Sequence, residues 1–312
     1  MSKMMATRDG YGKALVELGK ENENVVVLDA DLSKSTKTAE FGETYPERFF
    51  NAGVAEQNLI GLAAGLSTTG KIPFASSFAM FASGRAFEII RNSIGYPQLN
   101  VKICATHAGI TVGEDGASHQ ALEDIACMRT IPNMTVIVPS DGVEAMAAVK
   151  KIAEYQGPVY LRLGRLAVPV INDQENYEFE IGKGVTLKEG ADITIIATGL
   201  MVHEALKAAK SLEDNGVEAR VVNLHTIKPI DSDLIIKAAE ETGLIITAEE
   251  HNIIGGLGSA VAEVLSENRP VPLKRIGVND TFGESGKPEE LLEKYGLSAD
   301  KIFKTAIELL AR

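Results

Sequence analysis

The chain has 312 residues, 45% of them hydrophobic, and carries 43 acidic against 31 basic side chains for a formal net charge of −12. That length and apolar content suffice for two compact domains with ordinary cores, so disorder is not expected. The acidity argues against nucleic acid as a partner, because phosphate backbones call for a basic face, and any anionic ligand must be met by local cations.

The N-terminal Met-Ser-Lys-Met-Met-Ala-Thr-Arg has no apolar run of signal-peptide length, and no later segment is uncharged and apolar for long enough to span a bilayer. The expectation is a soluble cytoplasmic protein without a membrane partner. Cys104 and Cys127 offer neither a disulfide framework nor a Cys-x-x-Cys metal spacing, and read as buried thiols.

In chain order, a strand over 25–28 is followed by the polar segment Asp29-Ala30-Asp31-Leu32-Ser33-Lys34-Ser35-Thr36, then by a helix from Glu56 to Ser67. Behind Glu56 that helix carries Leu59, Ile60, Leu62, Ala63, Ala64 and Leu66 with Gly61 and Gly65, small faces suited to close packing. A glutamate in a first helical turn is ordinarily just favoured by the helix dipole. Ahead of so apolar a helix it is buried, and must find a hydrogen-bond partner or a proton.

A short strand around Ile72-Pro73-Phe74 leads into Ser76-Ser77-Phe78-Ala79-Met80-Phe81 and a helix over 79–93. The strand over 101–104 runs into the loop 106–120, which holds His107, His119, Asp115, Glu114 and three glycines where ligands sit in open α/β sheets. His107, Asp115 and His119 are all possible metal ligands, but no cysteine or HxxxH helix face completes a closed set. Sugar recognition with proton transfer suits the loop better, because vicinal hydroxyls and a carbonyl call for histidine and a carboxylate acceptor. Strands over 135–138 and 159–161 flank a helix over 142–155 capped by Ser140 or Asp141, and Arg162 and Arg165 follow the last strand.

Residues 1–168 thus read as one domain, 169–190 as a linker and 191–312 as a second domain, each with a mainly parallel sheet covered by helices: an α/β fold. The second domain alternates strands over 193–197, 219–222 and 244–246 with helices over 202–214, 231–241 and 259–266. Its Gly255-Gly256-Leu257-Gly258 opens a helix after a strand, as a dinucleotide site does. Val261 stands where the third glycine or alanine belongs, and Glu249-Glu250 would repel a pyrophosphate.

The segment Asn51-Ala52-Gly53-Val54-Ala55-Glu56-Gln57-Asn58 resembles the glutamate motif of the pyrimidine-binding domain of thiamine diphosphate enzymes. Residues 106–120 resemble the sugar-phosphate loop of transketolase, and Ile227-Lys228-Pro229-Ile230-Asp231 and 285–292 resemble its C-terminal domain, which is structural in that family. The resemblance covers nearly the whole chain, with its motifs in the correct order. It implies that Glu56 hydrogen-bonds N1′ of the aminopyrimidine and favours the imino form that removes the thiazolium C2 proton. It also implies that Phe78 and Phe81 enclose the pyrimidine, with Gly84 where some transketolases carry a further aromatic, and that Asp31 lies near the cofactor and the subunit contact. For the substrate, it implies that His107 and His119 contact the carbonyl and hydroxyls, that Asp115 takes a hydroxyl, and that Arg8, Ser35 and Arg165 form the phosphate clamp, ahead of Arg162.

The chain lacks the Gly-Asp-Gly with a downstream Asn by which such enzymes hold Mg²⁺ and the diphosphate. The resemblance therefore implies half an enzyme: the C-terminal subunit of a split transketolase, a pentose phosphate pathway transferase moving a two-carbon ketol unit from a ketose phosphate to an aldose phosphate. Thiamine diphosphate would be its cofactor. The Mg²⁺ ligands would lie on an N-terminal transketolase subunit, and a second copy of this chain would complete a heterotetramer. Alternatives are the β subunit of a 2-oxoacid dehydrogenase, which has no use for the polyol contacts of the 106–120 loop, a deoxyxylulose-phosphate synthase, and a non-catalytic homologue.

Overall fold

The structure, a computed structural model, describes residues 3–311. Across them the strands form two mainly parallel sheets covered by helices and a small antiparallel pair, Met4–Ala6 with Ala167–Pro169. The first is ordered Thr226–Lys228, Thr135–Ile137, Val159–Arg162, Lys102–Thr106, Ile72–Phe78, Val25–Asp29, Phe49–Asn51. Three of its inner strands, Val25–Asp29, Lys102–Thr106 and Val159–Arg162, are buried along their whole length, which is why they read as mainly apolar runs rather than as alternating ones. The second sheet is ordered Leu273–Val278, Ile245–Asn252, Ile193–Ala197, Ala219–Asn223, Val185–Lys188.

Both sheets depart from the expected division of the chain. Thr226–Lys228, from the second half, crosses back and pairs antiparallel with Thr135–Ile137 of the first sheet. Val185–Lys188, inside the stretch expected to be a linker, pairs antiparallel with Ala219–Asn223. Earlier in that stretch Phe179 is buried and Tyr177 packs beside it against the first half, where the Tyr177 hydroxyl donates to Glu144. One apolar cluster is continuous across both halves, joining Leu28, Ile60 and Ile103 to Val222, Leu224, Ile235 and Leu257.

A polar network runs along the same seam. Buried Arg162 donates through Nε to Asp124 Oδ2 at 2.8 Å, and through Nη2 to the carbonyls of Ala121 and Glu250 at 3.2 and 2.9 Å. The Tyr160 hydroxyl donates to the same Asp124 oxygen at 2.8 Å. Burial alone would raise the Asp124 carboxyl, but the Arg162 charge overrides it and holds the group below the usual carboxylate range. Arg162 is thus consumed by the fold, which removes it as a reserve phosphate ligand.

The helix Glu56–Ser67 has the expected bounds, but only one face is covered: Glu56, Leu59, Ile60, Ala63 and Ala64 are buried while Gly61, Leu62 and Gly65 are exposed. The expected helix over 79–93 is helical but irregular, with widened π-type turns at Phe81–Arg85 and Ile90–Gly95, a feature that gathers at functional sites. The helix Thr7–Glu21 lies so close to Gly142–Glu154 that a Cβ on Gly10 would strike the Gly142 carbonyl. Asp141 caps the second of these, its side chain accepting from the Glu144 amide at 2.8 Å. Cys104 is buried, and burial pushes its thiol up to about 12, whereas Cys127 is only half-buried.

Candidate active site

Four adjacent parallel strands of the first sheet deliver the site at their carboxyl ends, where open α/β sheets bind ligands. Ile72–Phe78 ends in Phe78, Lys102–Thr106 is followed by His107, Val25–Asp29 by the loop bearing Ser35, and Val159–Arg162 by Arg165. Buried Asp29 organises its loop, accepting from the Leu32 amide at 2.5 Å and from the Thr36 and Thr38 hydroxyls at 2.6 and 2.9 Å. Nothing in the local pattern singled out Asp29, whose role depends on the turn folding back on it.

Glu56 is 1% exposed, and its Oε2 accepts from Arg85 Nη1 at 2.7 Å. The required partner of this carboxylate is thus an arginine on the first widened turn, 49% exposed and lying over the Phe81 ring at 4.8 Å from its centroid. Sequence reading missed Arg85, because the pairing spans two elements and leaves no local signature.

Phe81 stacks on Phe78 at 6.1 Å between ring centroids, and Phe78 stacks on the His107 imidazole at 3.9 Å. His119 meets both phenylalanines edge-on, at 5.2 Å from Phe81 and 6.3 Å from Phe78. A Cβ on Gly84 would lie 2.7 Å from Met80 Cε, so the Met80 side chain occupies the space beside Gly84.

His107 stands at φ +56°, in the left-handed region, and is nearly buried. Its Nε2 lies 3.0 Å from Arg8 Nη1 and its Nδ1 lies 2.9 Å from the Thr106 hydroxyl. Arginine can only donate, so Nε2 accepts and the ring proton sits on Nδ1, bonded to Thr106. Burial first, then the charges of Arg8 and Arg165, lower the His107 pKa to about 3, leaving a neutral imidazole at physiological pH.

Arg8, in the first turn of its helix, also donates to the Ser35 carbonyl at 3.0 Å, while its Nε is buried without a partner. Burial lowers its pKa, Asp9 opposes this, and Arg165 adds to it. Two neighbouring guanidinium groups with a spare buried donor can meet an anion. Arg165 is half-exposed and already donates through Nη1 to the Val112 carbonyl, with Glu114 at 3.3 Å.

The structure therefore joins Glu56, through Arg85, to Phe81, Phe78, His119, His107, Arg8 and Ser35 in one series of contacts, with Arg165 near its cationic end. Two expected members stand outside it. Asp31, exposed and at φ +65°, accepts from Asn51 Nδ2 at 2.9 Å, and Asp115 is exposed on the loop. An open cleft of about 440 Å³ lies beside the same loop, lined by Met80, Ser118, Gln120, Asn252 and Phe282.

The glycine-rich turn of the second half holds no such opening. The Glu249 carboxylate accepts from the Leu257 and Gly258 amides at 2.6 and 2.8 Å, filling the helix N-terminus that a pyrophosphate would need. Among the described residues no three of His, Cys, Asp and Glu converge to hold a metal ion, and no helix is long and apolar enough to cross a membrane.

Comparison with known proteins finds two family models on the chain. The family model for the transketolase pyrimidine binding domain matches residues 3–170, and that for the transketolase C-terminal domain matches 182–302. A protein of Methanocaldococcus jannaschii, provisionally named transketolase C-terminal section, is 60% identical over 96% of this chain and 95% of its own. A 6-deoxy-6-sulfo-D-fructose transketolase subunit of Clostridium sp. is 47% identical over 98% and 94%. Among solved structures, a split-gene transketolase described as an inactive β4 tetramer superposes with a TM-score of 0.92, at 61% identity, over 98% of this chain and 99% of that one.

Proposed function

Because the chain belongs to the transketolase family, we propose that it is the C-terminal, substrate-recognising subunit of a two-chain transketolase that moves a two-carbon ketol unit between sugar phosphates. The observation that carries this reading is the contact series from Glu56 to Arg8: a buried carboxylate at one end, paired aromatics and histidines between, and a cationic anion site at the other. The relative named as an inactive β4 tetramer supports the need for a further chain.

The residues fit the pyrimidine end of thiamine diphosphate. Glu56 supplies a buried carboxylate, and Phe78 and Phe81 supply aromatic faces beside it. The Mg²⁺ end does not fit, because the chain carries no Gly-Asp-Gly motif and no described cluster of metal ligands. Those groups belong to the partner. When bound, the cofactor supplies the carbon nucleophile that takes up the ketol fragment.

This chain's own residues then divide the remaining work. Glu56, kept out of water and held by Arg85, shares a proton with the pyrimidine N1′. His107, neutral with its proton fixed on Nδ1, presents Nε2 to the substrate once Arg8 turns to an anion, and it can accept a hydrogen bond from a hydroxyl there. His119, edge-on to both phenylalanines, faces the same space as a second hydroxyl contact. Arg8, Arg165 and Ser35 hold the phosphate at the far end, which orients the reacting carbons. The relative named for 6-deoxy-6-sulfo-D-fructose supports a substrate that carries an anionic group. The test is ketol transfer from phosphorylated ketoses to aldoses by this chain mixed with a diphosphate-binding subunit.

A further inference from the structure

The loop bearing His107 and His119 is not held by the first half alone. Its backbone closes on itself where Ala108 bridges Ala121 and the Gly109 amide donates to the Ala121 carbonyl at 3.0 Å. Between those ends the turn Ile110–Asp115 packs against the helix Pro288–Lys294 of the second half. There the Thr111 amide donates to Glu250 Oε1 at 2.7 Å, across from the strand Ile245–Asn252 of the second half. Gly109, at φ +83°, has no room for a side chain, because the Glu250 carboxylate fills the place its Cβ would take. Glu250 therefore fixes the loop twice, by a hydrogen bond and by occupying the notch over Gly109, two residues from His107.

Glu250 is itself braced. Arg162 Nη2 donates to the Glu250 carbonyl at 2.9 Å and to the Ala121 carbonyl at 3.2 Å, so one guanidinium ties the second-half strand to the far end of the same loop. Gln120, next to His119, adds a parallel tie by donating to the Glu284 carbonyl at 2.9 Å and the Ile110 carbonyl at 3.0 Å.

We propose that Glu250 is a positioning residue of the second domain, which sets where the loop from His107 to His119 stands over the Phe78 and Phe81 pair. The proposal rests on the ketol-transfer reading for its kinetic consequence, but not for its structural one. Without the Glu250 acceptor the Thr111 amide is orphaned and the Gly109 notch empties. The histidines then lose their register with a substrate held at Arg8, and small misplacements of reacting groups cost rate steeply.

Hydrogen exchange in the full chain reads the structural part. Glu250→Ala should lose protection across 108–121, whereas Glu250→Gln, whose amide oxygen can still accept from Thr111, should keep it. In the complex with the partner subunit, Glu250→Ala should lower kcat/KM for ketol transfer by about ten- to a hundredfold while cofactor C2 proton exchange, governed by Glu56, runs at the wild-type rate. Glu250→Gln should restore transfer. Wild-type loop exchange in Glu250→Ala would overturn the proposal, as would equal loop loosening in Glu250→Gln. If the alanine variant does not fold, Glu250→Asp keeps the carboxyl group but withdraws the acceptor by one methylene, and an undisturbed loop there would also overturn it. Should the wild-type complex transfer no ketol unit, the functional reading falls while loop exchange still decides the role of Glu250.

Discussion

Replacing Arg8 by alanine separates the anion site from the rest of the pocket. Alanine is the best helix former, so the helix Thr7–Glu21 is not weakened at its first turn, and what disappears is a guanidinium that donates to His107 Nε2 and the Ser35 carbonyl, both at 3.0 Å. A charge-assisted contact to a phosphate contributes roughly 1.5–3 kcal/mol, so kcat/KM for a phosphorylated donor should fall about ten- to 150-fold, mostly through KM. A short unphosphorylated donor should lose far less. His107 supplies a second readout. Its pKa near 3 in the folded chain, against about 6.5 unfolded, means that it contributes stability in full above about pH 6.5, and that this is lost as pH falls toward 3. Arg8→Ala removes one depressing charge and admits water, so the His107 titration should move upward, narrowing that window. Steady-state kinetics on paired donors and histidine NMR between about pH 5 and 8 test both. Equal losses on the two donors, with His107 still not titrating, would refute the reasoning and make Arg8 a structural residue.

Glu56→Gln should cut turnover of the two-subunit complex by about 10²-fold or more, because an amide cannot share a proton with N1′. Cofactor C2 proton exchange at the wild-type rate in that variant would reassign Glu56 to the fold. Arg162→Met should leave Asp124 buried and uncompensated at a cost of about 3–5 kcal/mol, seen as a lower midpoint of chemical unfolding. An unchanged midpoint would contradict its role as the brace of the seam.

What could be read from the sequence was what depends on neighbours along the chain. The buried strands announce themselves as unbroken apolar runs, and the helix Glu56–Ser67 by the apolar stretch behind its glutamate. The strand Thr226–Lys228 gives no such signal, since three residues carry no period and the partner strand lies in the other half of the chain. Arg85 and Glu250 were missed for the same reason: each acts on a residue far away in sequence, Glu56 and Thr111, and only the packed sheets bring them within bonding distance. Arg162 and Arg165, three residues apart, look alike in sequence. Strand alternation turns one into the seam, where Asp124 neutralises it, while the other follows the strand end and stays half-exposed beside the site.

On the proposed function these residues form a substrate and pyrimidine site that does nothing alone. Ketol transfer should therefore be measured on the purified chain with thiamine diphosphate and Mg²⁺, before and after a diphosphate-binding subunit is added. No transfer is expected beforehand and transfer afterwards; turnover by the chain alone would show that it needs no partner.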